Sequence, residues 1–204
     1  EKKTKKEVMK SAELWEKATK IRSRYNCAAN WISSSSNHIA VVKADGTVVA
    51  AGKNDYGQCD VSAWRDVVSV QCDHLGFGTV GVTSKGTVYY AGVNLDKQAQ
   101  CQNWRGIKAA GFGDHCVIGL RYDGTVVATS STNTGVGKGD ASDVTTWSGI
   151  DQLRFGADTV AGITRDGKLL HVSRNCYQRC ETSYSNGAEN VEDAAIGEIG
   201  ATLL

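Results

Sequence analysis

Proline is missing from all 204 residues, and the chain has one methionine and few aromatic side chains. Its turns must therefore use other residues, and 23 glycines with many β-branched residues favour short strands joined by glycine-bearing turns. No stretch approaches the roughly 18 apolar residues of a membrane span. No apolar run follows the first lysines, so we expect no secretory signal peptide in these residues.

Charge is nearly balanced over the whole chain, with a formal net value of +1. Residues 1–24 hold nine Lys/Arg and four Glu, so this segment carries +5 and the remainder about −4. Proteins that bind nucleic acid present a clustered basic surface to the phosphates. The mildly acidic remainder therefore argues against nucleic acid as the main ligand.

Cysteine is present in an odd number, and its spacing contains no CxxC pair. Cys176 and Cys180 form a lone CxxxC, which is too little for a zinc site. We therefore expect reduced, mostly buried thiols in a cytoplasmic protein, with no metal and no other cofactor. The seven positions are Cys27, Cys59, Cys72, Cys101, Cys116, Cys176 and Cys180.

A nine-residue segment occurs four times along the chain. ADGTVVAAG at 44–52 returns as SKGTVYYAG at 84–92, YDGTVVATS at 122–130 and RDGKLLHVS at 165–173. Asp-Gly between apolar runs predicts a β-hairpin with a tight primed turn, in which glycine takes a positive φ. The four turn glycines are separated by 40, 38 and 43 residues: Gly46, Gly86, Gly124 and Gly167.

Two further features recur at fixed positions in the repeats. A tryptophan lies three residues before an apolar position in three repeats, and a glycine lies five residues before each of the last three turn glycines. We expect the tryptophans to occupy equivalent, largely buried positions, and the glycines to let neighbouring sheets approach closely. The tryptophans are Trp64, Trp104 and Trp147, with Ala188 in the fourth repeat; the glycines are Gly81, Gly119 and Gly162, with Val41 in the first.

A period near 40 residues with a repeated hairpin predicts an all-β β-propeller, because a single hairpin cannot bury its faces and stacked copies can. The alternative, a β-solenoid, usually has shorter coils. We place four blades at about 30–66, 67–106, 107–149 and 150–190, with a partial fifth at 191–204. The fifth unit ends in ATLL, so we expect open propeller edges and self-association, with Leu203 and Leu204 near the contact.

The repeated segments resemble a known family. DGTVVAAGKNDYGQCDVSAW, NHIAVVKADGT and DHCVIGLRYDGT are similar to the bacterial branch of the RCC1-like repeat, which includes the seven-bladed propeller that inhibits β-lactamases. The resemblance implies a propeller that presents binding surfaces. The nucleotide-exchange activity of the eukaryotic member is not carried over, since we find no GTPase-contacting wedge and no basic face.

Residues 1–27 are predicted to form an N-terminal amphipathic helix or linker that precedes a propeller at 30–204. Val8, Ala12 and Trp15 share one side at helical spacing, and the rest is largely charged. Two readings stay open for this helix. It either packs Trp15 on the propeller or on a second chain, or binds a membrane surface or an acidic partner.

Polar residues recur in the loop that enters each hairpin. Asn37-His38, Asp73-His74, Asp114-His115 and Asp158-Thr159 would lie around one rim of a propeller. We predict a non-enzymatic scaffold that binds an unidentified protein partner at this rim, with irregular loops at 131–146 and 174–187 as a second surface. The alternative is a small-molecule, sugar or hydrolytic site at the His/Asp ring. The predicted partner-binding residues are Asp73, His74, Phe77, Asp114, His115 and Asp158.

Overall fold

The computed structural model describes residues 30–94, 98–113, 116–129, 143–156, 159–173, 190, 194–196 and 201–203. The predicted helix at 1–27 and most of the two irregular loops lie outside these residues. The described chain is almost entirely β-strand, and its helical segments are two short 3₁₀ helices at Gln98–Asn103 and Asp143–Thr146.

The strands form four three-stranded antiparallel sheets and one two-stranded pair, each made of consecutive strands. The first strands of neighbouring sheets contact one another, as expected for the inner strands of propeller blades. Blade 1 is β1 (Ile32–Ser34), β2 (His38–Val42) and β3 (Val48–Gly52); blade 2 is β4 (Val67–Cys72), β5 (Gly78–Thr83) and β6 (Val88–Gly92); blade 3 is β7 (Ile107–Phe112), β8 (Val117–Arg121) and β9 (Val126–Ala128); blade 4 is β10 (Ile150–Phe155), β11 (Thr159–Thr164) and β12 (Leu169–Ser173); the pair is β13 (Ala194–Ile196) and β14 (Ala201–Leu203).

All four turn glycines lie in hairpin turns with positive φ, between 71° at Gly86 and 88° at Gly124. The turn type differs from the two-residue primed turn that the Asp-Gly pair suggested. Gly46 N–H donates to the Lys43 carbonyl, and Lys43 N–H donates to the Thr47 carbonyl at 2.8 Å. This pattern is a three-residue loop in which only the glycine is left-handed. The glycine prediction is confirmed, and the primed turn is wrong.

The aspartate before the turn glycine fixes the loop by bonding the residue after it. In blade 1 the Asp45 carboxylate accepts from Thr47 N–H at 2.9 Å and from the Thr47 hydroxyl at 2.6 Å. Asp123 and Thr125 repeat this arrangement in blade 3. The hydrogen bonds from the threonines hold the pKa of both carboxyls below the ordinary range. The recurring DGT is therefore a self-bonded hairpin turn.

Each tryptophan packs on the middle strand of the following blade, directly over a glycine. A Cβ placed on Gly81 would lie 2.8 Å from Cζ3 of Trp64. The corresponding Cβ to Cζ3 distance is 2.9 Å for Gly119 and Trp104, and 2.8 Å for Gly162 and Trp147. The three tryptophans are therefore equivalent, and each of these glycines is small because an indole ring occupies the space above it.

Burial of the tryptophans is less uniform than predicted. Trp64 is only 5% exposed, because the Tyr89 ring stacks on it at a centroid distance of 5.3 Å. Trp104 and Trp147 are partly buried and pack against the core, each less completely covered than Trp64. The positions equivalent to Tyr89 hold Val127 and Leu170, whose smaller side chains cover less of the indole.

The hydrophobic core consists of three layers, each between two successive blades. The layer between blades 1 and 2 contains Val42, Val48, Trp64, Val67 and Val70. The next two layers join blade 2 to blade 3 and blade 3 to blade 4 in the same way. Blades 2 and 3 are therefore buried on both faces by their neighbours, which explains why one repeat is not sufficient for stability.

Candidate protein-binding rim

The loops between the first two strands of each blade lie at the end of the strands opposite the hairpin turns. We call this end the loop rim; its described parts include residues 35–37 in blade 1 and 73–77 in blade 2. Of the six predicted partner-binding residues, Asp73, His74 and Phe77 lie on the blade 2 loop. Asp114, His115 and Asp158 lie outside the described residues.

His38 is buried at the junction of blades 1 and 2, with 4% of its surface exposed. Its Nδ1 lies 2.9 Å from the Ser35 hydroxyl and its Nε2 lies 2.7 Å from the Thr79 hydroxyl. The Thr79 hydroxyl in turn donates to the Gln58 carbonyl at 2.8 Å. Burial lowers the pKa of His38 below 6.5, although the Asp73 carboxylate opposes this shift. His38 therefore joins two blades as a neutral, fully bonded side chain.

We expect the lowered pKa of His38 to make the protein less stable in mild acid. The unfolded chain takes up the proton more readily than the folded one, so stability is complete above about pH 6.5 and falls as pH drops towards the lowered folded pKa. Urea unfolding at pH 7.5, 6 and 5 should show this decline, and the decline should be shallower in His38→Gln. Equal pH dependence in both proteins would show that His38 does not carry the effect.

The strand register does not support pairing Asn37-His38 with Asp73-His74. His38 pairs with Gly52, and its counterpart in blade 2 is Gly78, which pairs with Gly92. The loop before β5 is two residues longer than the loop before β2. His74 therefore lies on the loop itself, where its side chain is partly exposed, and His38 lies at the start of a strand.

Asp73 organises the blade 2 loop. Its carboxylate accepts from the N–H groups of Leu75 at 3.4 Å and Phe77 at 3.3 Å, and its carbonyl accepts from Gly76 N–H at 2.8 Å. The His74 Nδ1 lies 3.4 Å from Asp73 Oδ1. The carboxylate is thus directed mainly at its own loop, and 13% of its side chain is exposed.

Blade 1 holds the blade 2 loop from the other side. The Asn37 amide donates to the Leu75 carbonyl at 3.1 Å, and the Gln58 amide donates to the Gly76 carbonyl, also at 3.1 Å. Gln58 is fully buried, and a Cβ on Gly76 would lie 2.7 Å from the Asn37 side chain. The loop is therefore fixed in place by two side chains from the neighbouring blade.

Three large apolar side chains are exposed on this fixed loop and beside it. Tyr56 is 47% exposed, Leu75 39% and Phe77 36%. The rings of Tyr56 and Phe77 meet edge to face, with centroids 5.4 Å apart and planes at 77°. We call Tyr56, Leu75 and Phe77 the rim patch. Sequence reasoning identified Phe77 as a possible protein-binding anchor but missed Tyr56 and Leu75.

Comparison with known proteins identifies the repeat over a short segment and the fold over most of the chain. The regulator of chromosome condensation (RCC1) repeat model matches residues 32–58. The crystal structure of Kap60 bound to yeast RCC1 (Prp20) matches with a TM-score of 0.57 and 15% identity, over 85% of this chain and 53% of that chain. The fold is an RCC1-like β-propeller.

Two other solved propellers are similar to the chain. The CRINKLY WD40 ectodomain of the Arabidopsis thaliana receptor kinase ACR4 has a TM-score of 0.53 and 13% identity, over 81% of this chain and 57% of that chain. Human WBSCR16 has a TM-score of 0.50 and 19% identity, over 70% of this chain and 46% of that chain. No curated protein sequence matches. The chain spans about half the length of the solved structures it resembles.

The described part of this RCC1-like propeller contains no group of three metal-ligating side chains, and none of its helices is long and apolar enough to cross a membrane. The described cysteines, Cys59, Cys72, Cys101 and Cys116, are free thiols. Burial raises the pKa of Cys101 to about 12 and also raises that of Cys72, which makes both poor nucleophiles at neutral pH.

Proposed function

We propose that this chain is a non-enzymatic protein-binding scaffold whose loop rim binds a protein partner. We place it in the cytoplasm of a bacterium, with a helix or linker at 1–27 and the propeller at 30–204. The partner-binding set is the predicted one, Asp73, His74, Phe77, Asp114, His115 and Asp158, extended by Tyr56 and Leu75. Self-association is a second proposed interaction.

The observation that carries the proposal is the exposed rim patch on a rigid support. Exposed aromatic side chains anchor many protein interfaces, since they bury a large area at a small cost in side-chain entropy. Here the Asp73, Asn37 and Gln58 hydrogen bonds fix the loop beneath the rings before any partner arrives. A fixed loop loses little conformational entropy on binding, which raises affinity.

The charges around the rim patch favour a partner with some basic character. Asp55, Asp60 and Asp73 lie on the same loops as the patch, and Lys53 pairs with Asp55 at 3.1 Å. Complementary charge at the rim of an interface mainly accelerates association. The yeast RCC1 (Prp20) that this chain resembles in fold was solved in a complex with Kap60.

The alternative of a small-molecule, sugar or hydrolytic site at a His/Asp ring has weaker support. His38 is buried with both ring nitrogens near hydroxyl groups, and Asp73 accepts hydrogen bonds from its own loop. A general base must be free to reach the proton that it removes. His38 and Asp73 therefore have structural roles, whereas His74 is partly exposed with its Nδ1 3.4 Å from the Asp73 carboxylate.

We expect the double variant Tyr56→Ala/Phe77→Ala to lose the partner. Truncation of central aromatic anchors typically costs about 2 kcal/mol or more in binding, which corresponds to roughly thirtyfold weaker affinity. The measurement is quantitative mass spectrometry of proteins retained from an extract of the source organism. The matched control is Tyr122→Ala, since Tyr122 is 44% exposed at the hairpin end of blade 3.

The proposal requires that the double variant loses proteins that the Tyr122→Ala control still retains from the extract. If both retain the same proteins as the unchanged chain, the rim patch is not the binding surface. Thermal melting of both variants separates loss of binding from loss of folding, because exposed side chains contribute little to stability.

A further inference from the structure

Hydrogen bonds connect the buried imidazole of His38 with the rim patch. The Ser35 hydroxyl lies 2.9 Å from His38 Nδ1, and it also accepts from Asn37 N–H at 3.2 Å and from His38 N–H at 3.1 Å. The side-chain amide of Asn37 then donates to the carbonyl of Leu75, which belongs to the rim patch. The state of the imidazole therefore bears on a turn that supports the proposed binding surface.

The surrounding groups decide which imidazole nitrogen carries the hydrogen. The Thr79 hydroxyl has one hydrogen and donates it to the Gln58 carbonyl at 2.8 Å. It must therefore accept from His38, so the neutral imidazole carries its hydrogen on Nε2, 2.7 Å away. Nδ1 is then an acceptor, and the Ser35 hydroxyl donates to it. With one hydrogen donated and two lone pairs accepting, that hydroxyl is fully used.

A proton on Nδ1 of His38 gives the Ser35 oxygen one donor too many. The Ser35 hydroxyl must then turn its own hydrogen to the His38 carbonyl, which lies 3.1 Å away. Three N–H groups compete for the two lone pairs of one oxygen. Asn37 N–H makes the longest of these bonds and belongs to an exposed residue, where water can replace the serine. The bond from Asn37 is therefore the one that breaks most readily.

We propose that protonation of His38 releases Asn37 and thereby loosens the loop that carries the rim patch. Mild acid then weakens partner binding, because a loosened loop must be ordered again when the partner binds. Burial lowers the pKa of His38 below 6.5, so the loop responds below this pH. As a form of regulation, this response rests on the proposed function of the rim patch.

Other titratable groups lie on the elements around His38. Burial raises the pKa of both thiols among them, and the lysine is far from its titration range, so these three keep their charge between pH 7.5 and 5. The Asp73 carboxylate favours the protonated imidazole. Histidines generally change charge in this range, so His74 needs a control. The groups lie on β4, the blade 2 loop and the segment after β3: Cys72, Asp73, His74, Lys53, Asp55, Cys59 and Asp60.

Fluorine NMR of the full chain tests this response without a partner, so its failure is distinct from failure of the binding proposal. The chain has three phenylalanines, and 4-fluorophenylalanine in their place gives three resonances. The resonance that is lost in Phe77→Leu reports the rim patch. We expect it to shift between pH 7.5 and 5 with the same midpoint as the His38 imidazole, measured by carbon NMR of labelled histidine. The resonance of Phe155, in blade 4, should stay in place.

Three variants show whether His38 causes the shift. His38→Gln should abolish it, and His74→Gln should keep it. Asn37→Ala changes an exposed residue, so it serves even if the buried substitution impairs folding. Its Phe77 resonance should lie at the acid position already at pH 7.5 and should no longer respond to pH.

A Phe77 resonance that stays in place while His38 takes up its proton would overturn the proposal. A shift that survives in His38→Gln but disappears in His74→Gln would assign the response to the wrong histidine, which also overturns it. Joint movement of all three fluorine resonances would show that acid unfolds the whole protein instead of loosening one loop.

Discussion

Trp64→Ala should lower the free energy of unfolding by about 3–5 kcal/mol, the range for a large aromatic removed from a packed core. The Trp64 ring lies between Tyr89 and the backbone of Gly81, and it closes the layer between blades 1 and 2. Gly81 has no side chain that could move into the cavity. Urea unfolding followed by fluorescence or circular dichroism measures the loss.

The other two tryptophans provide an internal comparison. Trp104→Ala and Trp147→Ala should each cost less than Trp64→Ala, because both rings are half-buried and Val127 and Leu170 stand where Trp64 has Tyr89. A cost below about 1 kcal/mol for Trp64→Ala would identify it as a surface residue, which contradicts the packing described here.

Gly92→Ala should destabilise the protein by about 3 kcal/mol or more, since its backbone conformation is nearly restricted to glycine. Gly92 has a φ of 128°, and a Cβ there would lie 2.2 Å from the Phe77 carbonyl oxygen and 2.6 Å from the Gly78 Cα. Both are backbone atoms and cannot rotate away. The substitution should also displace Phe77, so binding at the rim patch should weaken together with stability.

Gly106→Ala separates the two causes of the Gly92 effect, which are the strain of a positive φ and the clash of the added Cβ. Gly106 has a φ of 68°, but no atom lies within 4 Å of its hypothetical Cβ. We expect a loss of only about 1 kcal/mol, from left-handed strain without a clash. Equal losses for the two substitutions, again measured by urea unfolding, would mean that the close approach of Gly92 to Phe77 is not present in solution.

Periodicity made the blades predictable from the sequence. The turn glycines, the three tryptophans and the three middle-strand glycines recur at fixed offsets because every blade needs the same tight turn and the same indole packing over a glycine. The turn type was not predictable from Asp-Gly, since the Lys85-Gly86 turn of blade 2 forms the same three-residue loop without an aspartate. Partial exposure of Trp104 and Trp147 depends on residues of the next blade, which no local pattern reveals.

The rim was only partly predictable. The recurrence of a polar pair before each hairpin suggested that His38 and His74 are equivalent, but the longer blade 2 loop breaks that correspondence. Tyr56 and Leu75 belong to different blades, and their joint exposure follows from how Asn37 and Gln58 hold the loop. A sequence pattern identifies which residues are apolar, whereas the packing between two blades decides which of them remain exposed.

The most direct test of the central claim is site-specific photo-cross-linking at the rim patch. A photoreactive phenylalanine analogue is placed at Phe77 in one protein and at Tyr122 in another, and both are irradiated in an extract of the source organism. The account predicts that position 77 captures a defined protein, identified by mass spectrometry, and that position 122 does not. Capture of the same proteins at both positions, or of no protein at position 77, would contradict it.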